Sequence, residues 1–464
     1  MSERWVINRI LFFSLMLLVV ISPLPLGSNR EWSWSLCALI AGALALIWAA
    51  SNIKRTAQPN LRLNPLIPLL FVLACGWAIV QLGNWSPAPW QHPLWLMAGE
   101  ALSAELPGRI SLSADDTWTA LMRLLSYALV FALAYQLTRD RARAQAAFGW
   151  MAIAGLVYAV FALYVYWGGY HPEWLFEGRV LPHDVRGTFI NRNHFATWQG
   201  LTMLCAMANF YHRMARPVVK PYAVPQDRET LVVEFILRAW MPLTALLLMV
   251  TALVLTHSRG GFTAALAATI TLLYLLDRRV AKRGASSRKS LSRATVITAL
   301  AVTSIAFYLT SEAVLDRINS TDISSEERMA VFADVNRGIT DNPVLGFGYG
   351  TFADSFRLYD RNESAVHYDR AHNTWMENAF ELGLPAALAL FLSIIGLALV
   401  CLRGVGRRHR DWIYPATGVA ASVLVGLHAT VDFSLQLPAV ANLFACIMGV
   451  AVAQSFSTSS DNFV

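Results

Sequence analysis

Residues 382–401 read LGLPAALALFLSIIGLALVC, a run without a single charged side chain. A bilayer's hydrocarbon core takes about 20 apolar residues of helix to cross. Lipid offers no partner to a bare backbone N–H or C=O, so a run of this kind is a transmembrane helix. The same scan along the chain predicts about twelve spans, near 7–26, 32–50, 65–83, 119–137, 148–167, 194–211, 240–256, 262–276, 294–311, 382–401, 412–431 and 440–455. Composition agrees. The 464 residues are 56% hydrophobic and only 14% charged, with a mean hydropathy of +0.45. Soluble domains carry roughly 25% charged residues, and disordered chains combine low hydrophobicity with high net charge, so both classes are excluded. The predicted fold class is an all-α polytopic membrane protein.

Basic residues set the orientation. Arg4 and Arg9 precede the first span, and no small-residue cleavage site follows it, only Pro23-Leu24-Pro25-Leu26-Gly27. It reads as a retained signal anchor. Short loops hold Arg139, Arg141 and Arg143; Arg278, Arg279, Lys282, Arg283, Arg288, Lys289 and Arg293; and Arg403, Arg407, Arg408 and Arg410. All of them fall on one side, together with the remaining lysines Lys54 and Lys220. The N and C termini are therefore expected in the cytoplasm. The net charge of +7 has a sufficient use in topology and in contact with anionic membrane lipids, and no nucleic acid is implied. The expected division is residues 1–311 with transmembrane helices 1–9, a large outer loop with short helices at 312–381, helices 10–12 at 382–455, and a cytoplasmic tail at 456–464. Cys37, Cys75, Cys205, Cys401 and Cys446 all lie in or at the end of apolar runs without metal spacing, as small core hydrophobes.

The outer face has long loops at 84–118, 168–193 and 312–381. Trp85, Trp90 and Trp95 in the first suit the headgroup level. In the last, Ser324 and Glu327 have the spacing of a capping box. An amphipathic helix through Arg328, Phe332, Val335 and Ile339 follows, ended by Gly338 and Asp341-Asn342-Pro343. The run G346-F-G-Y-G-T-F352 lacks the strand and the glycine spacing of a nucleotide-binding loop, and it reads as a flexible turn against the membrane. Outer arginines run against the positive-inside rule, so each needs a reason: an anionic ligand, or pairing with acids such as Glu326, Glu327, Asp354, Asp360 and Asp369. Pairing is expected for most arginines of the long loop. Arg259 sits between two spans with almost no loop, at membrane depth. A charge there costs about 2.5–3.5 kcal/mol near the bilayer centre and less at the rim, so it either lines a polar cavity or snorkels. Gly260 and Gly261 beside it let a backbone or ligand come close.

Four stretches then stand in order along the chain: G187-T-F-I-N-R-N-H-F-A196; T256-H-S-R-G-G261; E327-R-M with D341-N-P-V-L-G-F-G-Y-G-T-F352; and A371-H-N-T-W-M-E-N-A-F-E-L-G-L-P385. In these motifs, their order and the twelve-span plan, the sequence resembles the O-antigen ligase and O-antigen or exopolysaccharide polymerase superfamily of the bacterial inner membrane. The resemblance implies a helical glycosyltransferase fold of the lipid-carrier type (GT-C-like), with its large loop and active site facing the periplasm. It implies a donor glycan on undecaprenyl diphosphate, transferred with inversion and with no metal or other cofactor. It also implies an acceptor that is a second lipid-linked glycan in polymerases or lipid A-core in ligases, and a flippase and a chain-length regulator as partners. Ligases typically carry Gly, Thr or Tyr three residues beyond the glycine that stands here as Gly383, whereas this chain has Ala386. The N-R-N-H-F-A form is also closer to exopolysaccharide polymerases. Both points favour a polymerase.

A glycosyl diphosphate already has a good leaving group, so the protein must hold its negative charge and orient or deprotonate an acceptor hydroxyl. Arginine stays charged and presents a planar fork to phosphate oxygens. Arg259 and Arg328 are the expected diphosphate ligands, with Arg186 and Arg192 as helpers. Arg328 falls in the first turn of its helix, where free N–H groups also favour an anion. His372 suits the acceptor, as a general base or as a positioning group, and Asn373 suits sugar hydroxyls. Asn191, Asn193 and His194 are equally consistent with capping the sixth span and with touching substrate. His428 and Asp432, four apart, are expected on one helix face. There Asp432 orients an arginine or the histidine, or relays protons with His428. A transporter of the same lipid-linked glycan is the non-enzyme alternative. Such proteins carry ionisable groups mid-span, and here only Arg123 and His428 qualify. A structural scaffold would leave the charge of Arg259 unexplained.

Overall fold

An apolar helix buried on one stripe needs a partner on that stripe, and a helix apolar all round ends up in the middle of a bundle. The chain follows this rule in a computed structural model that describes residues 3–53, 62–169, 184–215, 228–281, 325–361 and 368–456. Among the described residues every regular element is a helix. In order they are α1 (Glu3–Ile21), α2 (Glu31–Asn52), α3 (Leu66–Leu82), α4 (Leu94–Leu102), α5 (Ala114–Leu137), α6 (Arg141–Gly168), α7 (Arg192–Ala215) and α8 (Arg228–Val254). They continue with α9 (Arg259–Ala281), α10 (Ser325–Asp341), α11 (Phe352–Ser355), α12 (Thr374–Leu382), α13 (Leu384–Arg407), α14 (Ile413–His428) and α15 (Pro438–Ser455).

Seven of the described helices are long and apolar enough to cross a membrane: α2, α5, α6, α8, α9, α13 and α15. The shorter apolar helices are α1, α3 and α14. The protein is thus an all-helical polytopic membrane protein. The expected span at 294–311 lies outside the described residues, and the other expected spans all fall on helices. The span expected at 194–211 is α7, less apolar than the rest because its polar residues face other helices: Gln199, Thr202 and His212 are buried. The first helix stops at Ile21, short of the expected 26, where Pro23 and Pro25 turn the chain.

The centre is α15. All of its residues from Pro438 to Ser455 except Ala445 are buried, and it packs on α5, α14 and α13. Small residues make this possible: a Cβ on Gly449 would sit 2.6 Å from the Phe131 carbonyl oxygen, so the α5 backbone passes directly over it. Close approach through small residues is how helices gain packing energy in lipid, where hydrophobic transfer contributes little. One end of this contact is tied by Gln454, whose Nε2 donates to the carbonyls of Thr138 (2.7 Å) and Arg139 (3.2 Å). The five cysteines are buried and free, as expected.

The other end carries the long loops. Between α3 and α5, α4 leaves Leu96, Met97 and Leu102 exposed next to Trp85 and Trp90, consistent with the headgroup level. The helix expected in the large loop is α10, with Val331 and Val335 packed into an aromatic cluster of Phe347, Phe352, Phe356 and Phe380. Ser324 of the expected capping box lies outside the described residues. Gly338 does not end this helix, which continues to Asp341; Gly338 is instead where the Phe380 ring presses on it, 2.2 Å from where a Cβ would stand.

The glycine run 346–350 is not a turn lying loose on the membrane. Phe347 and Gly348 donate their N–H groups to the Glu381 carbonyl at 3.1 and 3.0 Å. The buried Gln81 of α3 donates to the carbonyls of Leu345 (2.7 Å) and Glu381 (2.9 Å) and accepts from the Tyr349 N–H (3.1 Å). The run is a strap fastening α12 to α3. Gly346 adopts φ +67, and a Cβ there would lie 2.2 Å from the Glu381 oxygen. Gly346→Ala therefore combines a left-handed backbone with a clash, and should cost more than about 1 kcal/mol. Gly42→Ala, where a Cβ meets nothing within 4 Å, should be neutral or slightly stabilising. Thermal unfolding in detergent compares the two.

Candidate functional site

Two buried carboxylates organise the loop-rich end. The first is Asp184, its side chain 1% exposed. It accepts from His257 Nδ1 at 2.8 Å, Arg192 Nη1 at 3.1 Å and Arg186 Nη2 at 3.3 Å. A carboxylate at that depth is tolerable only when paired and hydrogen-bonded, and here three cationic or ionisable groups converge on it. Arg186 Nη1 also donates to the Ile190 carbonyl at 2.8 Å, and the Val185 N–H to that of Leu255 at 3.1 Å. The segment before α7 is thereby fixed against the junction of α8 and α9.

The second carboxylate is Asp432, with no exposed side-chain surface. Asn193 Nδ2 donates to Oδ1 at 3.3 Å, and the Ser434 hydroxyl makes a short bond to Oδ2. His194 Nε2 stands 3.8 Å from Oδ2, an ion-pair distance but no hydrogen bond. Burial alone would raise the Asp432 carboxyl; the surrounding His194, His428 and His372 imidazoles and the Ser434 hydroxyl outweigh it and hold it below the usual carboxylate range. Asp432 is not on a helix face with His428, as the spacing suggested. α14 ends at His428 and the chain turns, so the two meet through Ser434, which lies 3.4 Å from His428 Nδ1. His428 Nδ1 is also 2.6 Å from the Thr197 hydroxyl.

The two carboxylates are joined. Ser258 Oγ donates to Asn193 Oδ1 at 2.7 Å, while Asn193 reaches Asp432 through its amide nitrogen. Ser258 also caps α9, accepting from the Gly261 N–H at 3.2 Å. Arg259 then opens α9, exposed, and its guanidinium makes no hydrogen bond or ion pair among the described residues. A free guanidinium on a helix N-terminus, whose N–H groups and dipole also attract negative charge, suits an anion. Gly260 lets this terminus close on the 428–431 turn: a Cβ there would lie 2.8 Å from Val431 and 3.2 Å from His428 Nε2.

His372 arrives from the large loop. Its φ is +53, a left-handed conformation that a β-substituted residue adopts at a cost. The Thr374 N–H donates to the Ala429 carbonyl at 2.9 Å and its hydroxyl to the Asp432 carbonyl at 2.9 Å. These bonds fasten the 372–374 segment to the turn that bears Asp432. The His372 ring stands edge-on to Phe433 at 5.1 Å, and His194 meets the same ring at 4.6 Å. His257, with φ +52, is a second histidine in this conformation.

The structure thus brings together Arg186, Asn191, Arg192, Asn193, His194, Arg259, His372, Asn373 and Asp432. Several have structural duties. Asn191 Oδ1 accepts from the Asn193 N–H at 2.8 Å, capping α7. Asn373 Oδ1 accepts from the Met376 N–H at 3.1 Å, capping α12, so only its amide nitrogen remains for a sugar. Arg186 and Arg192 are engaged by Asp184. Arg328 lies in the first turn of α10 as expected, with its side chain outside the described residues. Pairing also accounts for Arg337 with Asp334 (3.3 Å), Arg357 with Asp354 (3.8 Å) and Arg370 with Glu377 (3.0 Å). Among the described residues no group of three or more His, Cys, Asp or Glu is arranged to hold a metal ion.

Sequence reasoning missed Asp184, the acid among the three arginines of its loop, and the linkers Ser258, Thr197 and Ser434. It also missed Glu377 and Glu381, one turn apart in α12. Glu377 is fully buried, its oxygens taken by Arg370 Nη1 at 3.0 Å and the Ala371 N–H at 2.9 Å. Glu381 accepts from the Phe352 N–H at 3.0 Å. Burial, and then the neighbouring Glu377 charge, push its carboxyl up to about 8.

With this geometry in place, comparison with known proteins adds the class. Residues 244–391 match the family model Wzy_C, O-antigen ligase. The match runs from the second half of α8 through α9 and the large loop to the start of α13, and it supports the O-antigen ligase and polymerase superfamily, whose activity is of ligase or polymerase type. No curated protein matches the chain.

Asp184→Ala would leave two guanidiniums facing each other without their carboxylate; removing one partner of such a buried group costs about 3–5 kcal/mol, read as a lowered unfolding midpoint in detergent. Glu381 gives a pH signature. Its folded value lies above the ordinary 4.5, so the fold binds a proton that the unfolded chain releases. The stabilisation is complete below pH 4.5 and is lost as pH rises through about 8. The unfolding midpoint of the wild type should fall across that window, and that of Glu381→Gln should fall less.

Proposed function

We propose that this protein is a bacterial inner-membrane glycosyltransferase that polymerises undecaprenyl-diphosphate-linked oligosaccharide repeat units at the periplasmic face, by metal-independent inverting transfer. The observation that carries this reading is the convergence of His372, held in a left-handed conformation beside buried Asp432, with the unpaired guanidinium of Arg259 on an adjoining helix N-terminus. Large loops gather on that one end, which supports chemistry on a single side rather than alternating access.

In the proposed step, the acceptor hydroxyl oxygen attacks the anomeric carbon from the face opposite the diphosphate. The carbon–oxygen bond to the diphosphate breaks, and undecaprenyl diphosphate leaves. His372 takes the hydroxyl proton, and the charge of Asp432 favours the imidazolium that results. Arg259 and Arg328 hold the charge that develops on the leaving diphosphate, where preorganised donors contribute several kcal/mol. Asn373 offers its amide nitrogen to a sugar hydroxyl, and Asn193 holds Asp432 and Ser258 in place beside it. A flippase would supply the donor, and a chain-length regulator would set when growth stops.

Transfer to lipid A-core is the second reading, favoured by the ligase description of the matched family. Ala386, where ligases carry Gly, Thr or Tyr, weighs against it. The test uses purified protein in lipid with a lipid-linked repeat unit. His372→Ala should abolish transfer, while the variant still inserts and unfolds as the wild type does. Arg259→Ala should lower turnover by about 10²–10³, with Arg259→Lys recovering only part because a point charge replaces a fork. Full turnover in His372→Ala would remove the proposed base.

A further inference from the structure

A cavity of about 400 Å³ is lined in part by Arg370 and Thr374, which flank His372 in sequence. Its long walls are apolar, with Phe71 of α3, Leu124 and Phe131 of α5, Leu390 of α13, and Phe444 and Met448 of α15 among them. Along α5 it runs from Ala120 to Phe131, about 16 Å at 1.5 Å per residue. Its loop-rich end is polar, formed by Arg123, Tyr127, Arg370, Glu381 and Gln436.

That polar end is underpaired. Arg123 packs its guanidinium over the Trp34 ring at 4.8 Å and has no carboxylate partner among the described residues. Tyr127 follows one helical turn later on the same face, and its buried hydroxyl has no hydrogen-bond partner; neither does Gln436 Oε1. Arg370 is matched by Glu377 (3.0 Å). Burial and the neighbouring Glu377 charge raise the Glu381 carboxyl, which weakens it as a counter-charge. An unneutralised guanidinium inside a membrane bundle is costly and calls for a partner. Among the described residues the cavity therefore presents a cation without a carboxylate partner and an orphaned hydroxyl beside apolar walls.

We propose that this cavity seats the acceptor: a second polyprenyl-diphosphate-linked glycan, with its diphosphate on Arg123, Tyr127 and Arg370 and its prenyl chain between α3, α5, α13 and α15. This rests on the polymerase reading, in which both substrates carry such a chain. Its apolar walls suit a prenyl tail. The segment that puts Arg370 and Thr374 in the cavity wall also bears His372. Two lipid-linked diphosphates would thus be held near the segment that bears the group taking the acceptor's proton.

The experiment is native mass spectrometry of the purified full chain with undecaprenyl diphosphate, competed by phosphatidylglycerol. The wild type should bind two undecaprenyl diphosphates. Arg123→Gln should bind one, Arg123→Lys two, and Tyr127→Phe should weaken the second event about 10-fold. Arg259→Gln should lose the other event and keep this one. If Arg123→Gln fails to fold, the Tyr127→Phe shift decides alone. Two undiminished events in both variants, or equal displacement by phosphatidylglycerol, would overturn the proposal. In that case one Arg259-sensitive event would leave the transferase reading standing, whereas no binding at either position would remove both.

Discussion

Asp432 is a carboxylate with no exposed surface, and the loop-rich end of the bundle depends on how its charge is satisfied. It stands in the turn between α14 and α15, where it gathers Asn193 from α7, Ser434 from its own turn and the imidazoles of His194, His428 and His372. Through Asn193 and Ser258 it connects to the start of α9, next to His257 and hence to Asp184. Four segments far apart in sequence are held in register by one hydrogen-bonded chain. Partly satisfied buried networks are costly, so this chain constrains where the helix ends can sit.

The bundle makes that register possible. α15 is buried at every residue but Ala445, which fixes the turn preceding it, and Gly449 brings α5 against its C-terminal half. The glycine strap at 346–350 fastens α12 to α3 and so sets the height of the 370–374 segment. His372 pays for its position with a left-handed backbone, held by the bonds of Thr374 to Ala429 and Asp432. Backbone strain kept by surrounding bonds is a feature of functional positions.

Much of this was legible in the sequence. Uncharged runs of membrane-spanning length gave the helices, because lipid permits little else. Arg259 was legible because a charge at membrane depth is conspicuous, and the structure leaves it unpaired. His372 was legible through its motif. Other features depended on contacts that no local pattern carries. Asp184 looked like one acid in a polar loop, yet it engages both Arg186 and Arg192. Asn191 and Asn373 are caps first, since a short amide side chain next to a helix start competes for its free N–H groups. The helical spacing of His428 and Asp432 misled because α14 ends between them. The glycine run looked mobile because its partners, Gln81 and Glu381, lie far from it in sequence.

The most direct measurement of the central claim is a gel profile of lipid-linked and cell-surface glycans from the native host, with and without this gene. A polymerase acting at the His372 site predicts single repeat units accumulating on the carrier in the deletion strain, with polymer restored by the wild-type gene and not by His372→Ala. Full-length polymer stranded on the carrier and missing from lipid A-core would contradict polymerisation and establish ligation. Glycans held on the cytoplasmic side of the membrane would contradict both and identify a transporter.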